Sequence, residues 1–368
     1  MMKTLSIFLN NIRTEIRAMS AYHVPDASGF IKLDAMENPY VLPDDLKAQL
    51  AQRLADVALN RYPVPTYDAL ARRLRDYAQI PDAFGLMLGN GSDELIHLLS
   101  MAISKTGEKV TILALSPSFV MYRMSALLNH VDYVEVDLRQ TECDFQLDVP
   151  AMVAAIALHR PALVYLPFPN NPTGGEFARA DMLAVIEAAR QVGALAVVDE
   201  AYQPFANHTW MGELATFDNL LVMRTVSKLG LAGVRLGYMA GRVDLMDELN
   251  KVRPPYNINV LTEAAGGFVL EHAHVLESQA AQIRATRAVL FDGLSRLKNV
   301  TPFQSHANFI CARFEDGDAT FEALKARGIL VKNMGKAHPM LRNCLRLSVG
   351  TAEENHALLT ALAATGLP

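Results

Sequence analysis

Seven short apolar runs punctuate the middle of the chain: Leu86–Leu88, Val110–Leu115, Val131–Val136, Leu163–Leu166, Ala194–Val198, Leu220–Arg224 and Leu236–Ala240. Helical segments such as Met182–Ala189 separate them. Runs that are apolar at nearly every position, rather than every second one, predict strands covered on both faces, hence a mostly parallel sheet between helices. In such sheets ligands collect at the carboxyl ends of the strands. Upstream, Pro43 opens a predicted helix that places Leu46, Leu50, Leu54 and Val57 on one face, with Asp44 and Asp45 at its positive end. Asn60–Pro65 breaks it, and Thr66 is the expected N-cap of a second helix carrying Leu70, Leu74 and Tyr77. Ser92 is expected to cap a third. The stretch 262–298 is helical throughout, and the last 70 residues mix short strands (Asn308–Ala312, Cys344–Val349) with helices. Residues 1 to about 42 lack periodicity and read as an extended arm. The expected organisation is an arm that completes part of a small domain (1–59), a large α/β domain (60–262) and a small α/β domain (263–368).

Composition narrows the function classes. Half of the 368 residues are hydrophobic, a fifth are charged, and the net charge is −5, with no block of like charge. That excludes an electrostatic footprint for nucleic acid or a membrane patch. No apolar run approaches the roughly 18 residues that span a bilayer. The apolar opening Leu5–Leu9 is interrupted by Asn10, Asn11 and Arg13 and lacks a cleavage pattern, so a cytoplasmic location is expected. Cys143, Cys311 and Cys344 are widely spaced and form no CxxC, which points to reduced thiols without a cysteine-rich zinc site.

The candidate chemistry centres on Thr225–Tyr238, T-V-S-K-L-G-L-A-G-V-R-L-G-Y. Lys228 follows Ser227 directly after an apolar run, glycines at 230, 233 and 237 allow close backbone approach, and Arg235 adds a guanidinium. An amine beside an anion-holding hydroxyl and guanidinium suits a Schiff base with pyridoxal phosphate. By itself the stretch fits a surface lysine in a glycine-rich loop equally well, so other stretches decide. Gly89-Asn90-Gly91-Ser92-Asp93-Glu94 opens a helix whose N–H groups offer a phosphate seat, although alone it reads as a capped turn. Pro169–Gly174 is a rigid loop in which Asn171 can donate to a phenolic oxygen. Asp199 ends an apolar run and can pair with a protonated pyridine nitrogen, while Tyr202 reaches the phenolic oxygen. No second acidic strand end supports a metal. Phe119, which taken alone is a core residue, can stack on a ring. The histidines 97, 208, 306 and 338 show no ligand spacing.

Together these stretches resemble the fold type I pyridoxal-phosphate-dependent aminotransferases, in the branch containing histidinol-phosphate aminotransferase. The resemblance runs from Tyr22 to Gly350 and is strongest at N-N-P-T-G (170–174), D-E-A-Y (199–202) and S-K-L-G-L-A-G-V-R-L-G-Y (227–238). It implies that Lys228 forms the Schiff base and shuttles the substrate proton, and that Asp199 holds the pyridinium. Asn171 and Tyr202 would hold the phenolate, and Phe119 would stack. Gly91, Ser92 and Asp93 would form the phosphate turn, with Ser227 and Arg235. Tyr62 matches a tyrosine reaching cofactor and substrate from the second subunit of a homodimer. S-H-A-N-F (305–309) and L-R-L-S-V-G-T (345–351) are similar to the same branch, so Arg346 would take the glutamate carboxylate and the histidinol-phosphate phosphate. Asn171, Tyr22 and Asn308 would line the substrate pocket. Two positions depart from the pattern: Lys332 replaces a second arginine, and Met36 replaces a common asparagine. The implied reaction is transamination between histidinol phosphate and 2-oxoglutarate in histidine biosynthesis. An aromatic amino-acid aminotransferase or a threonine-phosphate decarboxylase would share the cofactor residues. A DNA-binding regulator on this scaffold would need an N-terminal domain for which there is no room, and a NAD-dependent dehydrogenase a G-x-G-x-x-G that is absent.

Overall fold

The computed structural model describes residues 8–21 and 25–364. Its larger sheet contains seven strands, β1 (Phe84–Gly89), β2 (Thr111–Ser116), β3 (Asp132–Asp137), β4 (Leu163–Pro167), β5 (Leu195–Asp199), β6 (Leu220–Thr225) and β7 (Gly237–Arg242), in the order β1-β7-β6-β5-β4-β2-β3. All pairings are parallel except those of β7, which runs antiparallel to both β1 and β6. Each expected strand is present, with ends displaced by a residue or two, the usual scatter of element boundaries.

The apolar runs are explained by two packed faces. Ala196 and Val198 of β5 and Leu220 and Val222 of β6 belong to one core cluster. Val197, Leu221 and Met223, the alternate positions, belong to another on the opposite face. Side chains alternate across a strand, so a strand with helices on both sides must be apolar throughout. A third cluster surrounds the smaller sheet, made of β8 (Val300–Pro302), β9 (Phe309–Phe314), β10 (Lys332–Asn333) and β11 (Cys344–Ser348) in the order β8-β9-β11-β10. Part of the expected extended arm contributes to this lobe, because Ile31–Lys32 pairs in parallel with Ile329–Leu330. Another part is a short helix, Thr14–Ala18.

Three local expectations differ from the structure. The first helix ends at Ala55, leaving Val57 beyond it. The second spans Asp68–Ala78, and its N-cap position is Tyr67 in a left-handed conformation (φ 49°), not Thr66. Tyr67 is buried and its hydroxyl accepts from Ile258 N–H at 3.2 Å, so tertiary packing overrides the local capping preference. The third helix, Ser92–Ile103, is preceded by Gly91 at φ 80°. Ser92 is therefore its first residue and does not cap it.

Gly237 controls how closely the sheet approaches this helix. A Cβ there would lie 2.6 Å from Gly91 C and from Ser92 N, both backbone atoms that cannot swing aside. Gly237→Ala is expected to lower unfolding free energy by about 1–3 kcal/mol, the usual range for overpacking. Gly233→Ala, where a Cβ meets nothing within 4 Å, is the control and should be far milder. Denaturant titrations of both variants check this; equal effects would contradict it.

Candidate active site

The carboxyl ends of β1, β2, β4, β5 and β6 converge on a cavity of about 110 Å³. Because β7 is antiparallel, its beginning lies at the same edge, which is how Arg235, two residues before it, joins the others. Among the residues singled out in the sequence, Ser92, Asp93, Phe119, Asn171, Asp199, Tyr202, Ser227, Lys228 and Arg235 line this cavity.

Lys228 sits on an irregular helical turn, Ser227–Leu231, opened by Gly230 at φ 140°. Asn38 Nδ2 donates to Leu229 O at 2.9 Å and to Gln279 Oε1 at 2.9 Å, tying the turn to the arm and to a long helix. Lys228 Nζ donates to Ala35 O at 3.2 Å and lies 6.0 Å from the centre of the Tyr202 ring. The residue keeps part of its surface open to the cavity. Burial, and then the nearby Arg346, still lower its pKa to about 8.

Asp199 is buried at the end of β5. Its Oδ2 accepts from Tyr122 Oη at 2.7 Å and its Oδ1 from Ala201 N–H at 3.0 Å. Burial raises its pKa to about 6, with the two hydrogen bonds opposing. Behind it, Glu200 and Arg224 form a buried ion pair at 2.7 Å that links the ends of β5 and β6.

Donors gather at one end of the cavity. The first turn of helix Ser92–Ile103 presents N–H groups with no intrahelical acceptor. Arg235 Nη1 lies 3.4 Å from Ser227 Oγ, and Nη2 3.4 Å from Asp93 Oδ2. Gly91 leaves room for that guanidinium, since a Cβ would lie 2.6 Å from Nη2. Pyridoxal phosphate fits this set: a cradle of donors for its phosphate, Phe119 beside its ring, a buried carboxylate for its ring nitrogen and an amine for its aldehyde.

A second cavity of about 480 Å³ shares Met36, Phe119 and Asn171 with the first and extends to Lys332, His338 and Arg346. Arg346 Nη1 donates to Asn171 Oδ1 at 2.7 Å and Nη2 to Asp34 O at 3.0 Å. Lys332 is its partner position on the neighbouring strand. Met36 adopts φ 55°, a conformation that asparagine tolerates better than methionine. Three contacts hold it: its N–H donates to Ser348 Oγ (2.8 Å), its carbonyl accepts from Asn308 Nδ2 (2.8 Å), and its Sδ accepts from Tyr202 Oη (3.1 Å).

Three expected residues stand elsewhere. Asn308 is fully buried behind Met36 and lines neither cavity; its Nδ2 donates to the Met36 carbonyl. Tyr62 is 80% exposed and stacks on Tyr256 at 4.7 Å, away from both cavities of its own chain. Tyr22 lies outside the described residues. Tyr122, which lines the first cavity, and Asn38, which ties down the turn of Lys228, had no role assigned from sequence. The only signal for Tyr122 was its place in P-S-F-V-M-Y beyond an apolar run, and for Asn38 the Asn-Pro pair. Among the described residues there is no group of three or more side chains suited to a metal ion, and no helix long and apolar enough to cross a membrane.

The family described as aminotransferase class I and II matches residues 28–362. The chain is 55% identical over 356 residues to histidinol-phosphate aminotransferase 2 of Cupriavidus pinatubonensis, covering 96% of each. It is 56% identical to histidinol-phosphate aminotransferase 1 of Ralstonia nicotianae, covering 96% of this chain and 94% of that one. In fold it is similar to histidinol-phosphate aminotransferase from Sinorhizobium meliloti, solved in complex with pyridoxal-5'-phosphate. There the TM-score is 0.84 at 20% identity, over 96% of this chain and 98% of the other.

Asp199 yields a pH prediction for the cofactor-free protein. Its pKa rises from 3.8 to about 6 on folding, so its contribution to stability is full below about pH 4 and is lost as pH rises through about 6. Asp199→Asn removes this loss. Cofactor-free variant should therefore gain on cofactor-free parent by on the order of 1–3 kcal/mol between about pH 4 and pH 7. Thermal unfolding at several pH values measures it; a pH-independent offset would contradict the assignment.

Proposed function

The chain belongs to the class I and II aminotransferase family, and from that premise we propose that it moves the amino group of histidinol phosphate to 2-oxoglutarate, giving imidazole-acetol phosphate and glutamate. The observation that carries the choice of substrate is the cation pair Lys332 and Arg346, register partners on adjacent strands at a cavity contiguous with that of Lys228. A phosphate tail on an amine substrate suits that pair.

Pyridoxal phosphate, when bound, supplies an aldehyde that captures the amino group and a ring that withdraws electrons from the adjacent carbon. The residues do the rest. Arg235, Ser227 and the N–H groups of Ser92 and Asp93, with Gly91 leaving them room, hold the phosphate. Phe119 would lie against the ring. Asp199, with its charge kept from water, holds a protonated ring nitrogen. Asn171 and Tyr202 orient the phenolic oxygen; Tyr202 now faces Met36 Sδ, a weak acceptor that it can exchange for a stronger one. Lys228 would hold the aldehyde, and its amine would take the proton from the substrate carbon. Its pKa near 8 leaves a neutral fraction at neutral pH for that task. Arg346 receives the glutamate carboxylate or the histidinol-phosphate phosphate in turn, and Lys332 adds charge for the phosphate.

We assign 60–262 to a cofactor-binding domain, 263–368 to a small domain, and 1–59 to an arm that completes the latter. The working unit is taken as a homodimer in which Tyr62 serves the other subunit's site. Supporting this are the exposed apolar side chains Val41, Leu59, Tyr62, Val64, Tyr256 and Leu261. The free thiol of exposed Cys143 suits a reducing cytoplasm.

Lys332→Ala is expected to lower kcat/KM for histidinol phosphate about ten- to a hundredfold, the worth of one charge-assisted contact, and to affect glutamate much less. Arg346→Ala should damage both half-reactions. Single-turnover kinetics with each substrate distinguish these outcomes, and equal losses for Lys332→Ala would mean that it does not read the phosphate. Mixing inactive Lys228→Ala protein with an inactive Tyr62→Ala variant should restore partial activity in hybrid dimers; no recovery on subunit exchange would contradict the shared site.

A further inference from the structure

Tyr122 belongs to the helix Val120–Leu128, and its side chain is fully buried. Its hydroxyl lies 2.7 Å from Asp199 Oδ2, and its ring stacks on Tyr165 with centres 4.2 Å apart and planes at 8°. The same ring meets Phe119 edge-on at 5.7 Å. One side chain thus contacts both the carboxylate and the aromatic wall of the cavity, and the Tyr165 stack prevents it from drifting.

We propose that Tyr122 is a positioning residue that orients the Asp199 carboxylate and keeps it ionised for the ring nitrogen of the cofactor. The proposal rests on the cavity taking pyridoxal phosphate. The groups facing Asp199 from the surrounding elements are Tyr165 on β4, Asp93 on helix Ser92–Ile103, Glu200 next in the chain, and Lys228 and Arg235 across the cavity. Asp93 and Glu200 favour the protonated form, as does burial. Against them stand two donors, Tyr122 Oη and Ala201 N–H, one on each carboxylate oxygen. A hydrogen bond to the charged form of an acid favours that form. Burial and the adjacent carboxylate push the Tyr122 hydroxyl well above its ordinary pKa, so it stays a donor throughout the working range. Each carboxylate oxygen can accept a second bond, which leaves capacity for a ring N–H.

The test is the pH dependence of pyridoxal phosphate binding to cofactor-depleted full-length protein, followed by absorbance and fluorescence. Asp199→Asn, which lacks the titrating group, gives the background due to the cofactor's own phosphate. In Tyr122→Phe the acid limb of affinity that depends on Asp199 should move up by about one pH unit, so that affinity falls about tenfold at pH values below about 6 and only about twofold at about pH 7, the effect of losing one bond to a charged group. Tyr165→Phe, which removes a neighbouring buried hydroxyl without touching Asp199, should leave the limb in place. If Tyr122→Phe does not fold, 3-fluorotyrosine at position 122, a stronger hydroxyl donor of nearly the same shape, is read instead: a limb moved to lower pH supports the proposal, and one coincident with the parent's overturns it. Coincident limbs for Tyr122→Phe and the parent, with only thermal stability lowered, would reduce Tyr122 to a packing role. Failure of the parent itself to bind pyridoxal phosphate would instead overturn the cofactor assignment.

Discussion

The carboxylate of Asp199 ends a strand packed on both faces by apolar side chains, with Tyr122 and Ala201 N–H as its two donors. Holding a charge there is costly unless a cation completes it. A protonated ring nitrogen would gain most where a carboxylate is dry and already aimed. Lys228 meets the complementary constraint. Burial and Arg346 disfavour its charged form, so the amine is poised to attack an aldehyde or to accept a proton. The same low-dielectric cavity raises the pKa of the acid and lowers that of the amine, both towards the neutral form.

Topology brings these groups together. Parallel strands deliver their carboxyl ends to one edge, and the antiparallel β7 delivers its beginning there, adding Arg235 to the donors of Ser227 and the helix at Ser92. Gly237 sets the distance between that strand and that helix, since a Cβ there would meet backbone, and Gly91 leaves room for the Arg235 guanidinium. The smaller lobe contributes Arg346 and Lys332 from adjacent strands, and Met36, from the arm, lies at both cavities. Asn171 joins the two regions through its hydrogen bond with Arg346. Substrate charge and cofactor phenolate would thereby be read by neighbouring atoms.

The sheet was legible because covering both faces leaves no polar position in a strand, and such runs are hard to mistake. That these residues gather at one cavity was legible because they fall in short stretches at strand ends, where a lysine, an aspartate and an arginine stand out against apolar neighbours. What escaped sequence reasoning depends on contacts distant in the chain. Tyr122 sits among apolar residues on a helix, and nothing local says that its hydroxyl reaches residue 199. Asn308 falls in a stretch like that of a substrate pocket, yet its amide is committed to a carbonyl 272 residues away. Tyr67 displaced Thr66 at a helix start for a similar reason, a buried hydroxyl held by Ile258 N–H.

The central claim is that the amine of Lys228, the buried carboxylate and the Arg346–Lys332 pair form one site for transamination of a phosphorylated amine. It is tested most directly by mixing protein loaded with pyridoxal phosphate with histidinol phosphate alone, without an oxo-acid, and recording the cofactor spectrum. Conversion of the aldehyde form to the amine form, rapid with histidinol phosphate and far slower with phenylalanine, is the predicted result. No conversion with histidinol phosphate, or faster conversion with phenylalanine, would contradict the account.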